Sequence, residues 1–148
     1  EKLYKADNFS RIDMSTYIAD LLEENILLCS RPDQKIQVSI KLEPIALSIN
    51  QAVPCGILIN EIITNSIKHG CALQKECRID ISLEESEGRI TLVIRDYGPG
   101  IRLELFKSEK KTTMGMQIIE ALTNQIGARI ELSTDNGTMF TIRFRASS

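Results

Sequence analysis

One segment, Ile57 to Gly70 (ILINEIITNSIKHG), constrains this chain more than any other. Ile57, Leu58, Ile59, Ile62, Ile63 and Ile67 cover most of a helical circumference, so the spacing predicts a helix that is largely buried. Glu61, Thr64, Asn65 and Lys68 fall at i, i+3, i+4 and i+7 and make one narrow polar stripe along it. A carboxylate, an amide and an ammonium on a mostly apolar helix need partners or solvent. One reading is the solvated face of an amphipathic helix. The other is a site, because carboxylate and amide oxygens suit a hard cation such as magnesium and a lysine beside them suits phosphate.

The surrounding pattern supplies the other elements. Apolar residues from Asp13 to about Ser30 recur near helical spacing, with Asp13 or Ser15 as cap and Arg31-Pro32-Asp33 as the close. Ile36, Val38, Ile40 and Leu42 alternate with polar residues, which predicts a strand buried on one face. Ala46 to Ile49 reads as a short second strand, and the polar-striped helix is expected to start around Pro54 and run to His69-Gly70. Arg78 to Leu83 and Arg89 to Arg95 read as an antiparallel hairpin around EESEG. A lysine-rich loop from Glu104 to Thr113 precedes a helix over Gly115 to Ile126, and strands Arg129–Ser133 and Thr138–Phe144 close the chain. With 148 residues this is one compact unit able to bury a real core. Antiparallel strands beside helices predict an α/β (α+β) two-layer sandwich, with a mixed, mostly antiparallel sheet and its helices on one face. The first ~30 residues read as a helical leader to that unit.

Composition removes several function classes. Lys and Arg number 18 against 20 Asp and Glu, a net charge of -2, so no basic excess points to nucleic acid. Trp is absent and Tyr and Phe are few, which gives no aromatic platform for stacked bases. A single histidine excludes a His-rich zinc site within the chain, and a Ser–His–Asp triad would have to use His69. Cys29, Cys55, Cys71 and Cys77 include no CxxC pair; two of them fall in apolar contexts, where a free Cys behaves as a small hydrophobe, and a reducing cytosolic compartment is expected. No run of about 18 apolar residues is present, so no direct membrane insertion of this segment is expected. No signal peptide is visible, and the opening EKLYKADN lacks an initiator Met and looks cut from something longer.

Three further clusters carry chemistry. DYGPG directly follows the apolar strand RITLVIR, so Asp96 leaves a buried strand into glycines and can aim its carboxylate at a pocket floor. There it would accept from an exocyclic amine of the kind adenine carries; a tight turn after a strand is the plainer reading. KKTTMGMQII places small polar residues and Gly115 at a helix start, where backbone N–H groups favour phosphate. It is not a P-loop, because GxxxxGK[ST] occurs nowhere. NGTMFTIRF alone would pass as a hairpin entering an edge strand.

In this order the clusters resemble the ATP-binding domain of sensor histidine kinases, within the superfamily that also holds type II topoisomerase, mismatch-repair and heat-shock chaperone ATPases. NEIITNSIKHG looks like the N box, DYGPG like the first glycine box, TTMGMQII like the second and GTMFTIRF like the closing strand. The NExxTNxxKH form is similar to the short-lid subgroup. The resemblance covers about Ile36 to Phe144. It implies a Bergerat-type fold at residues 34–148, with residues 1–33 joining it to an upstream dimerisation domain. It implies ATP and Mg²⁺ as cofactors, Asn65 as the metal ligand, Glu61 as the base or polariser of phosphoryl transfer, and Lys68 as the phosphate neutraliser. Asp96 would fix the adenine amine, Gly98, Gly100 and Ile101 would shape the pocket, and Thr138 would support the adenine side. Gly115 would meet the phosphates, while Met114 and Met116 would fill pocket or core. Two departures stand out: the lid between Gly100 and Gly115 is short, and the second box reads TTMGM where relatives are richer in glycine.

A histidine kinase needs an acceptor histidine, and the resemblance puts His69 on the nucleotide-binding helix instead. The acceptor is then expected upstream, in a histidine-containing dimerisation domain, or on another protein, and this chain should bind ATP without phosphorylating itself. The same resemblance implies a cytoplasmic location, a homodimer in the full-length protein and a response regulator receiver domain as phosphate recipient. An ATP-dependent regulatory switch and an anti-sigma-factor-type serine kinase are the alternatives; the leader favours the sensor kinase.

Overall fold

The computed structural model describes residues 11–71, 76–97, 114–134 and 137–147. Strand β1 (Arg11–Asp13) leads into α1 (Met14–Cys29). Asp13 caps α1, its carboxylate accepting from the Ser15 N–H at 3.1 Å, the Ser15 hydroxyl at 2.7 Å and the Thr16 hydroxyl at 3.1 Å. These bonds, the Ser15 side chain foremost, hold the Asp13 carboxyl below its ordinary value. The helix face of Met14, Ile18 and Leu22 is buried. β2 (Lys35–Leu42) and β3 (Ala46–Ser48) follow, then α2 (Ile49–Asn65), which continues as a π-helical turn at Ser66–Gly70. β4 (Glu76–Ser86) and β5 (Arg89–Asp96) form a hairpin, and α3 (Met114–Gln125), β6 (Arg129–Ser133) and β7 (Thr138–Arg145) complete the chain.

The main sheet runs β2-β4-β5-β7-β6, with β2 parallel to β4 and every other pair antiparallel; β1 and β3 form a separate antiparallel ribbon. Period-two alternation sends Ile79, Ile81 and Leu83 of β4, Ile90, Leu92 and Ile94 of β5 and Phe140, Ile142 and Phe144 of β7 to one buried face. That face meets Leu58, Ile59, Ile62, Ile63 and Ile67, all sealed from solvent, so the apolar majority of the polar-striped helix sits in the core as its sequence requires. The expected two-layer sandwich with a mixed, mostly antiparallel sheet is what the chain forms. α1 shares this core.

Three local expectations differ from the structure. α2 begins at Ile49, so Pro54 lies inside the helix, in its second turn, and is buried there. Its missing N–H forfeits one i−4 bond, which burial of the flanking apolar residues outweighs. β2 was expected to bury one face, yet Val38 and Ile40 remain 43% and 48% exposed. β2 is an edge strand with a sheet neighbour on one side only, which leaves its apolar face partly uncovered. Finally, the cysteines are not all free. Cys71, just past the π-helical turn, and Cys77, at the start of β4, lie 5.7 Å apart between Cα atoms and form a disulfide. Cys29 and Cys55 are free thiols, and burial pushes the Cys55 thiol up to about 12.

Candidate nucleotide site

α2 carries the polar stripe, and the structure divides it. Glu61 and Asn65 are half-buried and Lys68 is exposed. Thr64 turns toward α1, where its hydroxyl donates to Asn25 Oδ1 at 2.8 Å. The Asn25 amide in turn donates to Asn60 Oδ1 at 2.7 Å and to the Leu21 carbonyl at 2.8 Å. Asn25 is buried, so this network satisfies a polar group that would otherwise oppose α1 docking on α2. Sequence reasoning missed Asn25, although its position, seven residues after Ile18 on the apolar face of α1, was a usable signal. Close approach of the two helices also requires Gly56: a Cβ there would fall 2.2 Å from the Tyr17 hydroxyl.

The end of α2 is wound more loosely. The Cys71 N–H donates to the Ser66 carbonyl at 2.8 Å, an i→i−5 bond. Such π turns cluster at functional sites because they re-aim the residues they carry. Here the turn carries Lys68 and His69, packs beside β5, and is pinned to β4 through the Cys71–Cys77 disulfide.

β5 ends at Asp96, which is 1% exposed. Its register partner on β7 is Thr138, 2% exposed. A buried carboxylate is retained only where hydrogen bonds or charges meet it, and both Asp96 and Thr138 are engaged. Gly137 packs against them: a Cβ at Gly137 would fall 2.0 Å from the Asp96 carbonyl oxygen, and its φ of +108° is open mainly to glycine. The next residue, Tyr97, turns to the opposite face of the sheet. Its hydroxyl donates to Asp80 Oδ2 at 2.5 Å, which raises its pKa above the ordinary tyrosine value. Its ring takes the Arg95 guanidinium at 4.6 Å and that of Arg78 at 5.3 Å.

Met114 and Gly115 open α3, and Met116 is buried in its first turn. α3 packs on α2, and the π-helical turn that ends α2 packs on β5. Gly98, Gly100 and Ile101 lie outside the described residues. So do the side chains of His69, Met114 and Gly115. The half-buried Asn65 fits Mg²⁺ chemistry: its amide oxygen is a single hard donor, which would leave the ion its waters and substrate phosphates.

The architecture is a two-layer α/β sandwich, with helices packed on one face of a mixed sheet. Residues 50–148 match the family described as histidine kinase-, DNA gyrase B-, and HSP90-like ATPase, and the chain belongs to that family. It is similar to the sensor histidine kinase YxdK of Bacillus subtilis (strain 168), 22% identical over 58% of this chain and 30% of the relative. It is likewise similar to the sensor protein kinase GraS of Staphylococcus aureus (strain MRSA252), 23% identical over 60% of this chain and 29% of the relative. The matched segments thus span about a third of the length of these relatives. Among solved structures, the fold matches the histidine kinase domain of the Erythrobacter litoralis EL346 blue-light activated histidine kinase with a TM-score of 0.81 at 18% identity, over 91% of this chain and 62% of that one. It matches the mycobacterial sensor histidine kinase MprB with a TM-score of 0.73 at 20% identity, over 92% and 96%. The chain is a histidine kinase-like ATPase domain.

Proposed function

We propose that this chain is the ATP-holding half of a two-component sensor kinase, delivering the γ-phosphoryl group to a histidine outside residues 1–148. The observation that carries this reading is the buried Asp96 at the end of β5, in register with buried Thr138 on β7. Asp96 accepts from the adenine amine, a hydrogen bond that guanine cannot offer at that edge. Thr138 supports the same side of the base. Gly98, Gly100, Ile101, Met114 and Met116 complete the pocket, and Gly115 presents backbone N–H groups to the phosphates.

Lys68 sits in the π-helical turn and neutralises phosphate charge. Asn65 would hold Mg²⁺ together with the nucleotide's phosphates, and the ion would supply further charge neutralisation. Glu61 lies one helical turn before Asn65 and meets the incoming acceptor. The acceptor imidazole nitrogen attacks the γ-phosphorus, the bond from that phosphorus to the bridging oxygen of ADP breaks, and the ring N–H proton passes to Glu61. Positioning and charge neutralisation do most of the catalysis in such a transfer.

Residues 1–33 lead in from a histidine-containing dimerisation domain, with β1 and α1 packed into the same core as the catalytic residues 34–148, and a response regulator receiver domain takes the phosphate. We place the domain in the cytoplasm, where ATP is supplied, and expect the full-length protein to be a homodimer. No helix among the described residues is long and apolar enough to cross a membrane. The test is to mix the chain with radiolabelled ATP, alone and with its full-length parent. Labelled histidine in the parent and none in the isolated chain supports the reading. ATP binding with no transfer in the parent would favour a nucleotide-dependent switch, and label on serine a serine kinase.

A further inference from the structure

We propose that Tyr97 is a positioning residue of the nucleotide site, gripped on the outer face of the sheet so as to hold the peptide that carries Asp96. The inference rests on the reading of Asp96 as the adenine partner. Asp96 and Tyr97 are consecutive at a strand end, so alternation sends their side chains to opposite faces. Asp96 is sealed in the nucleotide-side layer while Tyr97, 37% exposed, lies over the open face.

An exposed tyrosine has no need of fixed partners, yet this one has three. Its hydroxyl donates to Asp80, itself held by the Arg78 Nε–H at 2.9 Å, and its ring meets two guanidinium groups. Asp80 and Arg95 are register partners on β4 and β5, so the ring is anchored across two strands rather than on its own. Opposing this grip is Gly137 at the start of β7, whose missing Cβ would lie 2.0 Å from the Asp96 carbonyl oxygen and 2.9 Å from the Tyr97 Cα. The linking peptide is therefore fixed by side chains on one side and by backbone packing on the other.

The arrangement carries a visible cost. Arg95 Nε is sealed from solvent with no hydrogen-bond partner, so its guanidinium takes the stack on Tyr97 at the expense of one donor. Buried unsatisfied donors are rare in folded proteins and are retained where a function offsets them. The function here is preorganisation: a carboxylate already aimed at the adenine amine loses no freedom when ATP binds.

Calorimetry on Tyr97→Ala, Tyr97→Phe and Asp96→Ala, with ATP and GTP as probes, tests this. Tyr97→Ala should weaken ATP binding about tenfold and reduce the preference for ATP over GTP, while the melting temperature stays near wild type. Tyr97→Phe keeps the stacked ring and should recover roughly half of that loss on a logarithmic scale. Wild-type ATP affinity and selectivity in Tyr97→Ala, with binding abolished in Asp96→Ala, would overturn the positioning role and leave the site standing. Wild-type affinity in Asp96→Ala would overturn the site itself. Should Tyr97→Ala fail to fold, Tyr97→Phe combined with Arg78→Ala removes the hydroxyl and one cation but keeps the ring. The same loss of ATP preference is then expected, and an unchanged preference would overturn the proposal.

Discussion

Asp96 and Thr138 face each other in register across β5 and β7, and both are almost wholly buried. The two positions come from motifs more than forty residues apart, and the antiparallel pairing alone makes them neighbours. A carboxylate and a hydroxyl side by side at a strand end put an acceptor next to a polar group that can adapt as donor or acceptor, which is what the proposed adenine contact needs.

Asp96→Ala should weaken ATP binding by about a hundredfold or more, because a site built around a buried acceptor loses the bond and gains a void. Titration calorimetry reads this directly. An affinity equal to wild type would move the pocket elsewhere.

Glu61→Gln keeps shape and hydrogen bonding while removing the proposed base. ATP affinity should stay within about twofold of wild type, and phosphotransfer in the full-length protein should fall by about 10²–10⁴. Transfer at the wild-type rate would strip Glu61 of its assigned role.

Gly137→Ala introduces a Cβ into the Asp96 carbonyl at a φ of +108°. Urea unfolding should show a loss of about 2–4 kcal/mol, and the surviving folded protein should bind ATP more weakly as the Asp96 peptide shifts. A neutral effect on both would mean that the β6–β7 turn relaxes freely.

The helical framework is predicted to depend on one amide. Asn25→Ala leaves Thr64 and Asn60 without their partner and should cost about 1–3 kcal/mol. Replacing Asn25, Asn60 and Thr64 together with apolar residues of similar size should recover much of that, since no orphaned group remains. Chemical denaturation of the single and triple variants checks both statements.

The thiols are expected to separate by environment. At pH 8 iodoacetamide should label Cys29, whereas Cys55 should stay unmodified in the folded chain because burial raises it to about 12. The raised value means that burying the neutral thiol stabilises the fold below its ordinary pKa near 9, and this contribution fades as pH climbs toward 12. Denaturation without reductant should expose two reactive thiols and reduction four, as the Cys71–Cys77 disulfide requires. Four reactive thiols before reduction would contradict it.

Much of this was legible in sequence because the relevant signals are periodic. Alternation in RIDISL and RITLVIR set out the hairpin, and of the six apolar residues around Glu61 and Asn65 that predict a largely buried helix, all but Ile57 are sealed in the core. What escaped notice depends on contacts between distant segments. Thr64 reads as part of the α2 stripe until Asn25, thirty-nine residues earlier, draws it to α1. Tyr97 carries no signal in the sequence, and only the fold shows Arg78, Asp80 and Arg95 closing on it from two strands. Cys71 and Cys77 show no motif spacing, and only the folded chain reveals that they lie within bonding range.

The parallel pairing of β2 with β4 has a consequence for how the molecule assembles. Parallel neighbours cannot be joined by a hairpin, so the chain must leave the sheet and come back, and here β3 and α2 make that return. The helix bearing Glu61, Asn65 and Lys68 is therefore the crossover of a β-α-β unit, and the β2–β4 pairing closes a longer loop than the β4–β5 hairpin does. Any ligand that braces α2 should thus slow amide hydrogen exchange along the β2 edge, tying occupancy of one layer to the fraying of the other.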